Sequence, residues 1–128
     1  MAIPSGGGTE VLKRNSIANQ AQTFTEVNWL AEQTSVTNTT NGAVPANTII
    51  TVLSIIWTNQ SAAVSNTSFR IEASGRDNIE LNSDQAIPAW GTYVWNDKFV
   101  LHPTDKLKFY NSQVTDIWLS YIYQDWTT

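Results

Sequence analysis

No stretch of this chain keeps apolar residues in step with a 3.6-residue period for three helical turns. What recurs instead is a short run rich in β-branched and aromatic side chains, closed each time by a cluster of Gly, Pro, Asn, Asp or Ser. The most demanding of these runs is Thr48-Ile49-Ile50-Thr51-Val52-Leu53-Ser54-Ile55-Ile56-Trp57. Successive side chains of a strand point to opposite faces, and this run is apolar on both. It must therefore be covered on both sides, by a second sheet and a partner subunit, or be locally irregular.

The same reading assigns strands to residues 21–30, 67–73, 93–101, 106–110 and 116–126. Turns are expected at 59–66 and 74–78, with Pro88, Gly91 and the pair His102-Pro103 as further punctuation. Residues 33–46, rich in Thr and Asn with Gly42 and Pro45, read as a long surface loop or a weak edge strand. Seven or eight short strands without an intervening helix predict an all-β sandwich or barrel. No fixed-period repeat is visible, which disfavours a propeller or solenoid.

Residues 1–16 open with Pro4 and the run Gly6-Gly7-Gly8, costly to order and with nothing to bury. They read as a flexible N-terminal arm, leaving 17–128 as a single β-sandwich domain. Within the arm, Thr9, Glu10, Val11, Leu12, Lys13 and Arg14 set an apolar pair beside the only adjacent basic residues in the chain, a segment able to reach a neighbouring molecule.

Composition narrows the function. The 128 residues carry 14% charged side chains against about 25% in an average domain, with 7 Lys+Arg, 11 Asp+Glu and a net charge of −4. Binding a nucleic-acid backbone needs clustered basic residues, so nucleic acid is an unsuitable partner. No apolar run reaches the roughly 18 residues of a membrane span, and the N-terminus lacks the basic and apolar regions of a signal peptide. The chain is expected to stay in the compartment where it is made. Few charges together with 6 Trp, 4 Tyr and 4 Phe suit contact with other protein, because interface cores are depleted in charge and enriched in aromatics.

Catalytic motifs are scarce. There is no cysteine, one histidine, His102, and no Gly-x-Ser-x-Gly elbow. A zinc site usually needs three or four His or Cys ligands, and spacing selects no carboxylate pair for glycoside hydrolysis. The Gly6 to Gly8 run lacks the Lys and the preceding strand of a phosphate loop. The expectation is a protein that is not an enzyme, with no cofactor and no metal. Asn-x-Ser/Thr occurs at Asn38, Asn59 and Asn66, as chance allows in so Asn-rich a chain.

In 117–123, Trp118, Ser120 and Ile122 share one strand face, and Ile117, Leu119, Tyr121 and Tyr123 the other. One face can fill the core, and the other needs a subunit, a partner or the arm. Ile50, Val52, Ile56, Trp118, Tyr121 and Tyr123 are accordingly the expected subunit interface. A stacking platform for sugars on the same aromatics is a further reading.

The opening Ile3-Pro4-Ser5-Gly6-Gly7-Gly8-Thr9-Glu10-Val11-Leu12-Lys13-Arg14, the turn Leu101-His102-Pro103-Thr104-Asp105-Lys106-Leu107 and the closing Trp118-Leu119-Ser120-Tyr121-Ile122 resemble small virion proteins of tailed double-stranded DNA phages, among them jelly-roll cement or decoration proteins. Such turns often have Gly where this chain has Thr104. The resemblance implies a jelly-roll-like antiparallel β-sandwich that forms a homotrimer on the capsid surface and binds the major capsid protein, its arm reaching neighbouring shell subunits. It also implies synthesis in the host cytoplasm. The rival function is a fibre-associated, receptor-binding module for host surface carbohydrate.

Overall fold

The structure, a computed structural model, describes residues 9–20, 23–29, 42–73 and 75–126. These residues form nine strands: β1 (Thr9–Gln20), β2 (Thr25–Glu26), β3 (Thr48–Asn59), β4 (Ser65–Glu72), β5 (Ile79–Ile87), β6 (Thr92–Trp95), β7 (Phe99–Leu101), β8 (Lys106–Asn111) and β9 (Thr115–Asp125). Their pairing is nested and antiparallel: β1 with β9, β2 with β8, β3 with β6 and β7, and β4 with β5. A chain paired in this way is one long ribbon, and wrapping it sets β9 against β3 and β8 against β4. The result is a large sheet, β1-β9-β3-β6 with β7 also on β3, and a small sheet, β2-β8-β4-β5. With β6 and β7 taken as one strand interrupted at 96–98, this is the eight-stranded jelly-roll sandwich.

Apolar side chains from both sheets fill the space between them. Ile17, Ile50, Val52, Ile55, Trp57, Leu101, Ile117, Leu119 and Tyr121 come from the large sheet, and Phe69, Ile71, Ile87, Leu107 and Phe109 from the small one. The Trp57 ring lies 5.2 Å from Phe69, 5.3 Å from Tyr93 and 5.9 Å from Phe109. Offset and edge-on contacts of this kind add to the area that the rings bury.

The run that is apolar on both faces is explained within one chain. On β9, Ile117, Leu119 and Tyr121 point inward at strict two-residue steps, whereas β3 points Ile50 and Val52 inward and then Ile55 and Trp57. The register moves from Val52↔Tyr121 to Ser54↔Ser120, so β3 carries one extra residue there. That is a β-bulge, and it lets both halves of the run keep a buried set. Ile50, Val52 and Tyr121, expected at a subunit interface, therefore fill the core and are at most 2% exposed.

Three further expectations are corrected. Thr9–Arg14, read as part of an arm, is the first half of β1 and pairs residue by residue with Asp125 to Ser120. The polar sequence conceals a strand because residues 10–14 are exposed and the buried layer is reached at Asn15 and Ile17. Residues 1–8, the Gly-rich part of the arm, lie outside the described residues. Among the described residues of the expected strand 21–30, only Thr25–Glu26 joins a sheet, and the expected strand 93–101 is broken into β6 and β7. Strand β5 was not anticipated, since Glu80, Asn82, Ser83 and Asp84 give it almost no apolar pattern.

The turn after β7 depends on Asp105, whose carboxylate accepts the His102 backbone N–H at 3.0 Å while its own N–H donates to the His102 carbonyl at 3.1 Å. Thr104 sits in this turn at φ 75°, a left-handed conformation that favours glycine. Thr104→Gly is expected to stabilise the fold by about 1 kcal/mol, measurable as a raised midpoint in urea unfolding. The bulge gives a paired prediction. Deleting Leu53 leaves Val52, Ile55 and Trp57 on the inward side and should yield a folded protein with a modest loss of stability. Deleting Ser120 from the regular strand β9 turns core side chains outward, at about 1.5–3 kcal/mol each, and should abolish cooperative unfolding.

Candidate interaction face

The two outer faces of the sandwich differ in charge. On the small sheet, alternation sends Phe69, Ile71, Leu107 and Phe109 inward and Arg70, Glu72, Lys106 and Lys108 outward. These outward groups form a ladder with Glu26 of β2 and Glu80 of β5. The Lys108 ammonium lies 2.9 Å from the Glu72 carboxylate and 3.5 Å from that of Glu26, which Lys106 also approaches at 3.5 Å. Arg70 bonds Glu72 at 2.7 Å, reaches toward Glu80 at 3.8 Å and stacks 3.8 Å from the Phe24 ring centre. Three cations thus meet three anions on this face. The second Glu26 oxygen accepts the Gly42 N–H at 2.9 Å, an approach so close that a Cβ on residue 42 would lie 2.5 Å from the Glu26 Cβ.

Burial pushes the Glu72 carboxyl up, but hydrogen bonds and charge from Lys108 and Arg70 outweigh it and hold the group below the ordinary glutamate range.

The large sheet presents the opposite character. Cross-strand registers align Ser16, Trp118, Ile56 and Val94 in one row over β1, β9, β3 and β6. A second row aligns Leu12, Ile122, Thr51 and Val100. Leu12 is 71% exposed, Val100 48%, Val94 45%, Trp118 39% and Ile56 36%. Between the rows, Arg14 faces Ser120, and its guanidinium lies 5.1 Å from the Trp118 ring centre. A shallow hollow of about 260 Å³ opens beside the first row, lined by Ser16, Ala18, Ile56, Thr58, Asp116, Ile117 and Trp118. The Asp116 carboxylate at its rim accepts the Asn19 N–H at 2.9 Å and the Gln60 amide at 3.3 Å.

Of the residues expected at a subunit interface, Ile56 and Trp118 are brought together as direct cross-strand neighbours on this exposed face. Tyr123 packs at the margin of the core, under the Lys13 ammonium 4.2 Å from its ring centre. Val94 and Val100 were missed as surface groups, although alternation within 93–101 carries the signal. Thr9, Glu10, Val11, Lys13 and Arg14 accompany Leu12 along β1, the outer edge of this sheet.

His102 is exposed in its turn, which uses its backbone groups. Among the described residues no cluster of three or more His, Cys, Asp or Glu could hold a metal ion, and no helix is long and apolar enough to cross a membrane. Comparison with known proteins finds no matching family model, no similar curated protein and no similar solved structure.

The charge ladder yields a pH prediction. A carboxyl whose pKa is lowered by folding contributes stability above its unfolded pKa and loses it as pH falls through the folded value. Glu72→Gln should therefore be less stable than the native chain at pH 7, and the difference should shrink as pH falls below the ordinary glutamate range. Urea unfolding of both proteins across pH measures it.

Proposed function

We propose that this chain is a non-enzymatic structural protein of a phage virion, a cement or decoration protein that binds the head shell through the outer face of its large sheet. The observation that carries the reading is the segregation of charge. The small sheet neutralises its own outward charges, while the large sheet offers two rows of exposed Val, Ile, Leu and Trp with Arg14 between them and Glu10 and Asp116 at their margins. A surface of this kind gains by excluding water against another protein. The phage assignment rests on the resemblance of the opening, the Leu101 to Leu107 turn and the closing strand to cement proteins.

A carbohydrate-binding role ranks second, supported by the hollow that sets the Trp118 ring beside Asp116, Ser16 and Thr58. Two contacts weigh against it: the Arg14 guanidinium near the Trp118 ring, and the engagement of Asp116 with Asn19 and Gln60.

Co-sedimentation with shells that lack the protein tests the proposal. The native chain should bind, and Ile56→Asp and Val94→Asp should each weaken binding about tenfold or more while unfolding as the native chain does, since both side chains are already partly in water. Retention of the native chain on glycans of host cells, with none on shells, would overturn the reading in favour of the second.

A further inference from the structure

A jelly roll has four sheet edges, and an uncovered edge is a template for another strand. Three of the edges here are blunted. Strand β2 has two residues, the β6–β7 edge is interrupted at 96–98, and β5 carries two register shifts against β4 with Asp84 at φ 54°. Strand β1 is the exception. It runs for twelve residues, pairs with β9 without a break from Thr9 to Ile17, and has no other strand partner among the described residues. Its register shift lies at the far end, between Ile17 and Gln20.

The outward side chains of the first half of β1 are Glu10, Leu12 and Arg14, opposite Gln124, Ile122 and Ser120 of β9. Glu10 and Arg14 are exposed, and Leu12 has the highest exposure of any large apolar residue described. Read along the strand, this face is acidic, apolar, basic. Turned end for end it reads basic, apolar, acidic, so it complements a copy of itself. Pairing antiparallel about Leu12 places Leu12 opposite Leu12 and Glu10 opposite Arg14 twice. Opposite-charge and apolar pairs directly across an antiparallel ladder are the stabilising ones. Lys13, a residue type that commonly guards an edge, is turned onto the Tyr123 ring of its own chain.

We propose that two copies of this chain join edge to edge through β1, pairing antiparallel about Leu12 so that the large sheets run on as one. Directly opposed residues of an antiparallel pair point to the same side, so the two-fold axis stands perpendicular to the sheet and both outer faces look the same way. The assembly is even-numbered, unlike the homotrimer that the phage resemblance implies, and it does not depend on the proposed shell-binding role.

Sedimentation equilibrium across micromolar concentrations is the test. The native chain should be a dimer. Glu10→Arg and Arg14→Glu should each weaken dimerisation about tenfold, because each variant converts two attractive contacts into like-charge pairs. The double variant, Glu10→Arg with Arg14→Glu, restores both pairs in reverse and should dimerise as the native chain does. Circular dichroism identifies a variant that merely fails to fold, and the double variant then decides. A native monomer or trimer, or a folded double variant that stays monomeric, overturns the proposal. Shell binding by a native monomer would leave the function standing and the edge pairing refuted.

Discussion

Strand β9 sets the terms for the rest of the sandwich. It is paired on both sides, with β1 along one edge and β3 along the other, and its inward residues Ile117, Leu119 and Tyr121 keep an unbroken two-residue step. A strand held from both sides cannot slip by one residue without turning its whole buried set to water. Each neighbour must therefore match the parity of β9. Strand β3 does so only by inserting an extra residue between Val52 and Ser54, and β1 does so until its shift beyond Ile17. The interruption at 96–98 lies on the far side of the same bulge, where β3 passes from pairing Phe99 at Val52 to pairing Trp95 at Ile55.

Once parity is fixed, the character of the outer faces follows from which residues are left pointing away from the core. On the small sheet these are the Lys, Arg and Glu of β8 and β4, close enough for ion pairs that also shield one another from water. Exposed pairs of this kind contribute little individually, and the network is stronger because Glu26 is nearly buried and bonded to the Gly42 backbone. On the large sheet the remainder is mostly Thr, Ser, Val, Ile, Leu and Trp, with Glu10, Arg14 and Asp116 as its charges. The low overall charge of the chain is thus unevenly spread: one face is neutral because it is paired, the other because it carries few charges.

Much of this architecture was legible in the sequence. Alternation located β4, β8 and β9, and the doubled apolar run at 48–57 announced either a covered outer face or an irregular strand, of which the bulge is the second. Polar edge strands escaped because the apolar period is their only signal. Strand β5 exposes most of its residues, and among the β1 residues whose burial is described only Asn15 and Ile17 are buried, so neither writes an alternating pattern. The interface expectation mixed two faces for the same reason. Ile50 and Val52 share the parity of Ile56 and cannot be separated from it until the bulge in β3 is placed, because one inserted residue exchanges inside and outside for the rest of that strand. Trp118 and Tyr121 lie on opposite faces of regular β9, and alternation alone does not say which of the two faces is buried.

Pairing with β9 also changes what the N-terminal segment can do. A mobile arm bearing Val11 and Leu12 would lose much of its binding energy to ordering, at about 1–2 kcal/mol for each residue fixed. Held in β1, Thr9–Arg14 has already met that cost through pairing with β9, and a neighbour meets a rigid edge. Two such edges joined about Leu12 would carry both neutral outer faces on one side of a continuous sheet. Contacts too weak to hold one copy on a surface then act together, with the second engaging at the high effective concentration that the first creates. Sheet twist limits how flat this doubled face can be, so the surface it suits is curved, or is gripped at two separated patches.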